Sequence, residues 1–153
     1  MIEVRIGNAL EIPQGIIVHG CNSHGVMGAG IALEVKRCFP LVFQVYREEY
    51  EKNGLKLGEL TFAEVAPFKI IVNAITQGDY GHGTRQVDYE AVVTCFENVL
   101  EIAQMIEDET GKKLDIVFPM IGAGLGGGNW NIIEKIIDET IPDHFNKILF
   151  KLP

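Results

Sequence analysis

The residues best suited to chemistry gather between Val18 and Pro40. Asn22 stands between two histidines, His19 and His24, and is followed by Met27-Gly28-Ala29-Gly30-Ile31-Ala32. An amide and two imidazoles offer hydrogen bonds to a sugar or to the reactive end of a ligand, and His19 offers proton transfer near neutral pH. Upstream, Gly15-Ile16-Ile17-Val18 is short, apolar and β-branched, the pattern of a buried strand. From Gly28 onward Ile31, Leu33, Val35 and Phe39 give a helical pattern that Pro40 stops. A strand that passes through glycines into a helix leaves the first helical N–H groups without partners, at the positive end of the dipole, where an anion is favoured. Neither familiar phosphate loop is present: no third glycine stands near Leu33 and no Gly-Lys-Ser/Thr follows the loop. The same glycines also suit a plain tight connection, and this stretch alone leaves both readings open.

A second stretch repeats the arrangement. Leu114 to Phe118 reads as another buried strand and runs into Pro119-Met120-Ile121-Gly122-Ala123-Gly124-Leu125-Gly126-Gly127-Gly128-Asn129. Asn129 is a suitable N-cap for a helix in which Trp130, Ile133, Ile136, Ile137 and Ile141 recur at helical spacing. Two such turns in one small domain point to a ligand with adjacent phosphates held from both sides by backbone amides. A third polar stretch, Gln77 to Gln86, follows an apolar strand and carries Asp79 and His82, candidates for acid/base work or for binding the distal end of the ligand. A solvated surface loop is the plain alternative there.

The elements that must position these groups follow in the order β-β-α-α-β-β-α-β-α-β. Met1 to Ile6 alternates as a first strand and Gly7-Asn8-Ala9 turns. Pro40 opens a second helix through about Asn53, Leu60 to Val65 and Phe68 to Ile75 are strands joined at Ala66-Pro67, and Asp88 to Thr110 is a long amphipathic helix that Gly111 caps. Lys147 to Leu152 alternates as a last strand, with Phe150 facing opposite to Leu149. Crossover helices between strands imply a mixed, largely parallel sheet with helices on both faces, and ligands in such sheets bind at the carboxyl ends of the strands.

The segments Asn22 to Ala32 and Ile121-Gly122-Ala123-Gly124-Leu125-Gly126 resemble the macrodomain family of ADP-ribose-binding modules. The element order matches that family from end to end, which implies a single three-layer α/β/α domain over 1–153 with a six-stranded sheet. The resemblance implies a ligand site made of Asn22, Met27, Gly28, Ala29, Gly30, Ile31 and Ile121 to Gly126, including Gly122, Ala123, Gly124 and Leu125. It puts Asn8 against the adenine amino group, where the family commonly has an aspartate, and Phe150 against the adenine ring. A turn-forming Asn8 and a core Phe150 are the plain alternatives. Within the family the first loop is most similar to ADP-ribose-1″-phosphate phosphatases and to hydrolases that remove ADP-ribose from glutamate. The latter carry a lysine where this chain has Gln77 and an aspartate where it has Gly126. A lysine-based covalent step is therefore not available. The expected activity is hydrolysis of ADP-ribose-1″-phosphate, with His19, Asp79 and His82 as proton-transfer candidates. The alternatives are a reader of ADP-ribose or ADP-ribosylated protein, a de-ADP-ribosylating hydrolase, and a nucleotide-binding regulator. No metal and no cofactor is implied.

Composition sets limits. A formal charge of −8 without a Lys/Arg cluster disfavours nonspecific nucleic-acid binding, so a diphosphate would be held by local dipoles rather than global charge. There is no membrane-length apolar run, and Glu3 and Arg5 interrupt anything like a signal peptide. Cys21, Cys38 and Cys95 are too scattered for a disulfide framework or a zinc site. The expectation is a cytoplasmic monomer.

Overall fold

The computed structural model describes residues 1–78, 87–123 and 126–153. β1 (Ile2–Ile6) leads through a turn of 3-10 helix (Ala9–Glu11) into β2 (Gly15–Asn22). Then come α1 (Gly30–Cys38), α2 (Pro40–Asn53), β3 (Leu60–Ala66), β4 (Lys69–Gln77), α3 (Tyr89–Thr110), β5 (Ile116–Phe118), α4 (Trp130–Thr140) and β6 (Lys147–Lys151). The strands form one sheet in the order β1-β6-β5-β2-β4-β3, antiparallel only between β3 and β4. This is the expected mixed, largely parallel six-stranded α/β sheet.

Alternation along β2 sorts its side chains between two cores. Ile16 and Val18 join Phe96, Phe118, Ile133 and Ile137 under α3 and α4, while Ile17 and Cys21 join Met27, Val35, Val42 and Tyr46 under α1 and α2. Burial on both faces explains why the central strands read as apolar runs rather than as alternating ones. Each fully buried Val, Ile or Phe contributes about 1.5–3 kcal/mol, so these two layers hold the sheet between the helix pairs.

Local signals fix the element ends. Pro40 is the first residue of α2, where its missing N–H costs nothing. The Asp88 side chain accepts from the Ala91 N–H at 2.9 Å to start α3, and Gly111 ends it in the left-handed conformation at φ 76°. The β3–β4 turn is made by Pro67 and Phe68, and Phe68 takes φ 59° there. The short 3-10 turn has no hydrophobic period that sequence could show. It exists because the Asn8 side chain accepts from the Leu10 N–H at 2.9 Å and Leu10 is buried.

Candidate functional site

The carboxyl ends of β5, β2 and β4 lie side by side, and a cavity of about 430 Å³ opens over them. One wall is the turn after β2, with Asn22, Val26 and Gly28 to Ala32; the other is the turn after β5, with Pro119 to Gly122 and Gly126; Gln77, at the end of β4, also lines it. Among the described residues no Asp, Glu, His, Lys or Arg lines it. From the described residues, an anion binding here meets backbone dipoles, amides and apolar surface.

The first turn is clamped at its start and open at its end. Asn22 Nδ2 donates to Val26 O at 2.8 Å, and Asn22 Oδ1 accepts from the His24 N–H at 2.9 Å and from the Tyr46 hydroxyl at 3.0 Å. Gly25, at φ 76°, lies against α2 so closely that a Cβ would stand 2.6 Å from the Tyr50 ring. Downstream, Gly28, Ala29 and Gly30 are exposed. A Cβ on Gly28 would meet only Val26 Cγ1 at 3.6 Å, and one on Gly30 would meet nothing within 4 Å. Ala29 is the N-cap of α1 and supplies no side-chain acceptor. The first amides of α1 therefore face the cavity at the positive end of the helix.

The second turn is closed on itself. Gly128 N–H donates to Gly122 O at 2.7 Å, Val87 N–H donates to Gly126 O at 3.1 Å, and the Asn129 side chain caps α4 by accepting from the Asn131 N–H at 2.9 Å. Gly126 and Gly128 are tight: a Cβ on Gly126 would stand 2.8 Å from Gly122 O and 2.9 Å from Gln77 Oε1, and one on Gly128 only 2.5 Å from Val87 Cγ1.

His19 does not reach the cavity. It is fully buried beneath the first turn, with Nε2 2.6 Å from Asn73 Oδ1. Asn73 Nδ2 is already committed to Val42 O and Thr61 Oγ1, so its oxygen faces the imidazole and the histidine proton sits on Nε2. Burial lowers the His19 pKa to about 4, against a smaller raising effect of the bond to Asn73. The structure thus places His19, expected among the proton-transfer groups, as a neutral, enclosed imidazole in the core and outside the cavity lining. Its neighbour Cys21, with Sγ 3.6 Å from His19 Nε2, does line the cavity, and burial pushes its thiol well up.

Other expectations change for equally local reasons. Met27 is buried in the α1/α2 core and anchors the turn from below instead of facing the cavity. Asn8 caps the 3-10 turn and, like Ala123, is not among the lining residues. Phe150 borders a separate hollow of about 550 Å³ with Arg5, Gln14, Pro67 and Asp115. Asp79, His82, Gly124 and Leu125 lie outside the described residues. Asn22, Gly28, Ala29, Gly30, Ile31, Ile121, Gly122 and Gly126 are brought together around the cavity.

Sequence reasoning missed Gly20, Cys21, Val26, Pro119 and Met120 as lining residues. Gly20 carried a signal, being a glycine inside a buried strand, which marks a close approach. A Cβ there would stand 2.8 Å from Thr76 Oγ1 and 3.0 Å from Ile121 Cγ2. The Thr76 hydroxyl is buried and has no hydrogen-bond partner among the described residues. Gln77, noted in the sequence as a departure, proves to be a wall of the cavity. Among the described residues no cluster of His, Cys, Asp and Glu is arranged to hold a metal, and no helix is long and apolar enough to cross a membrane.

Comparison with known proteins places these features. The Macro domain family model matches residues 18–137. The chain is 30% identical to a protein of Thermus aquaticus named DNA ADP-ribosyl glycohydrolase, over 92% of this chain but only 38% of that protein's length. It is 29% identical to the ADP-ribose 1″-phosphate phosphatase of Candida albicans, over 88% of this chain and 89% of that one. Among solved structures, the macrodomain of Thermus aquaticus DarG superposes with a TM-score of 0.80 at 26% identity, covering 99% of this chain and 98% of the other.

Proposed function

We propose that this chain, which belongs to the Macro domain family, binds ADP-ribose between its two glycine-rich turns and hydrolyses ADP-ribose-1″-phosphate to ADP-ribose and phosphate. The observation that carries the binding is the open start of α1: exposed Gly28, Ala29 and Gly30, a cap without a side-chain acceptor, and beside it a cavity with no charged side chain among the described lining residues. Amides at a helix start satisfy phosphate oxygens without any lysine or arginine, which suits a protein of net charge −8. The cavity volume of about 430 Å³ lies in the range for small-molecule sites.

Two points support phosphate-ester hydrolysis over cleavage of a glycosidic bond. The Candida albicans relative is matched over 89% of its length, so the activity in its name resides in the part this chain shares. Gln77, at the cavity wall, is neutral where the de-ADP-ribosylating hydrolases of the family resemblance have a lysine. In the reaction a water attacks phosphorus, the bond from phosphorus to O1″ breaks, and O1″ leaves with a proton as the hydroxyl of ADP-ribose. Charge spreads over the phosphoryl oxygens, and fixed N–H dipoles stabilise it without reorganising. Asp79 and His82 remain the candidates for the proton transfers.

A second reading, a reader without turnover, is favoured by one observation: no described lining residue other than the Cys21 thiol can transfer a proton, and burial pushes that thiol up. Incubation with ADP-ribose-1″-phosphate separates the two. The phosphatase releases stoichiometric inorganic phosphate and is also stabilised against heat by ADP-ribose. Stabilisation without release over hours would leave the reader.

A further inference from the structure

We propose that two copies of this chain pair through β1, antiparallel about a twofold axis at Val4, to form a continuous sheet across a dimer. β1 is an edge strand, hydrogen-bonded on one side to β6 and, among the described residues, to nothing on the other. The register fixes which groups face outward. Gly7 N–H donates to Lys151 O at 2.8 Å, and Ile6 is the register partner of Lys151, so Gly7 and Arg5 turn their backbone groups towards β6. By alternation Glu3 does the same, and Ile2, Val4 and Ile6 present their N–H and C=O groups to the open edge.

A twofold axis at Val4 puts those outward residues opposite one another. Val4 faces the partner's Val4, and Ile2 faces the partner's Ile6, each pair exchanging N–H···O bonds in both directions. The side chains then sort by face. Ile2, Val4 and Ile6 lie on the α3/α4 side, where Val4 is 52% and Ile6 66% exposed, so pairing covers apolar surface that the subunit leaves open. On the other face Glu3 comes opposite the partner's Arg5, in the close, non-hydrogen-bonded type of pair that brings side chains nearest. Within one subunit Glu3 and Arg5 bond each other along the strand, which leaves both of them about half exposed. The sequence Ile-Glu-Val-Arg-Ile is thus self-complementary when reversed, as a twofold contact requires.

Charges on an edge strand ordinarily discourage pairing. Here the two are opposite in sign and equally spaced from Val4, so antiparallel self-pairing neutralises them, while any shift of register by one residue does not. The other edge differs. β3 carries a register irregularity between Glu64 and Ala66, a usual device against edge association, and β1 has no irregularity. This inference goes against the monomer expected from sequence and does not depend on the ADP-ribose reading.

Sedimentation velocity of the intact chain over a range of concentrations tests it, with circular dichroism checking that each variant is folded. The wild type is expected to reach twice the 16.9 kDa mass of the subunit as concentration rises. R5E places like charges opposite each other and should remove the dimer, and V4K should do the same. The double variant E3R/R5E exchanges the two charges, restores complementarity and should restore the dimer. A wild type that stays monomeric at all concentrations overturns the proposal. So does a dimer indifferent to R5E, or a folded E3R/R5E chain that fails to associate.

Discussion

Two turns of similar composition, each leading from a strand into a helix, do opposite things with their glycines. After β2, the cap of α1 has no side-chain acceptor, and the space that a Cβ on Gly28 or Gly30 would enter is open. After β5, Asn129 satisfies the start of α4 from within, and added Cβ atoms at Gly126 and Gly128 would collide with Gly122 O and Val87. Gly28 and Gly30, at the start of α1, lack side chains where a ligand would come; Gly126 and Gly128, like Gly25 earlier in the first turn, lack them where the protein itself comes. A glycine-rich loop is therefore not one signal, and what tells the two kinds apart is the volume a missing Cβ leaves.

The largest effect is expected in the closed turn. Gly128→Val should lower stability by about 3 kcal/mol or more, since its Cβ would stand 2.5 Å from Val87 Cγ1. Denaturant unfolding measures this, and an unchanged midpoint would erase the distinction between the turns.

Next comes the floor of the open turn. His19 is neutral when folded, with its pKa lowered from 6.5 to about 4, so the unfolded chain takes up a proton that the folded chain refuses. Stability from this group is complete above about pH 6.5 and falls as pH drops towards 4, by up to roughly 3 kcal/mol. His19→Gln should flatten that slope in unfolding curves taken between those pH values. An activity profile that moves with His19 while the stability slope does not would return it to a catalytic role.

The element order, the crossover helices and most element ends were legible because they rest on local chemistry: Pro40 at the start of α2, Asp88 and Gly111 at the ends of α3, Asn129 at the start of α4. What was not legible depended on partners far along the chain. His19 looks like an active-site residue until Asn73, remote in sequence, accepts a hydrogen bond from its Nε2–H. Asn22 looks like a ligand contact, and it does line the cavity, but its amide is largely occupied with Val26, His24 and Tyr46. Met27 sits among the loop glycines yet points into the core, because the α1/α2 layer needs an apolar residue there.

A smaller effect exchanges the character of the two helix starts. Ala29→Asp supplies α1 with the acceptor it lacks and should raise stability by about 1 kcal/mol, while its carboxylate competes with phosphate and weakens ADP-ribose binding. Asn129→Ala should cost α4 about 1 kcal/mol and leave binding alone. Thermal melts with and without ADP-ribose read both quantities. Equal ligand effects in the two variants would mean that both helix starts, or neither, meet the ligand.

The account stands most directly on Gly28→Val. Gly28 is not in the left-handed region, and its Cβ would meet nothing nearer than Val26 Cγ1 at 3.6 Å, so the fold should accept the substitution. The added branches would fill the space through which a phosphate approaches the amides of α1. Isothermal titration with ADP-ribose, on protein shown by circular dichroism to melt like the wild type, should find affinity reduced about a hundredfold or more, the loss of roughly 3 kcal/mol of charge-assisted hydrogen bonding. A folded Gly28→Val protein that binds ADP-ribose as the wild type does would contradict the account and move the phosphates away from α1.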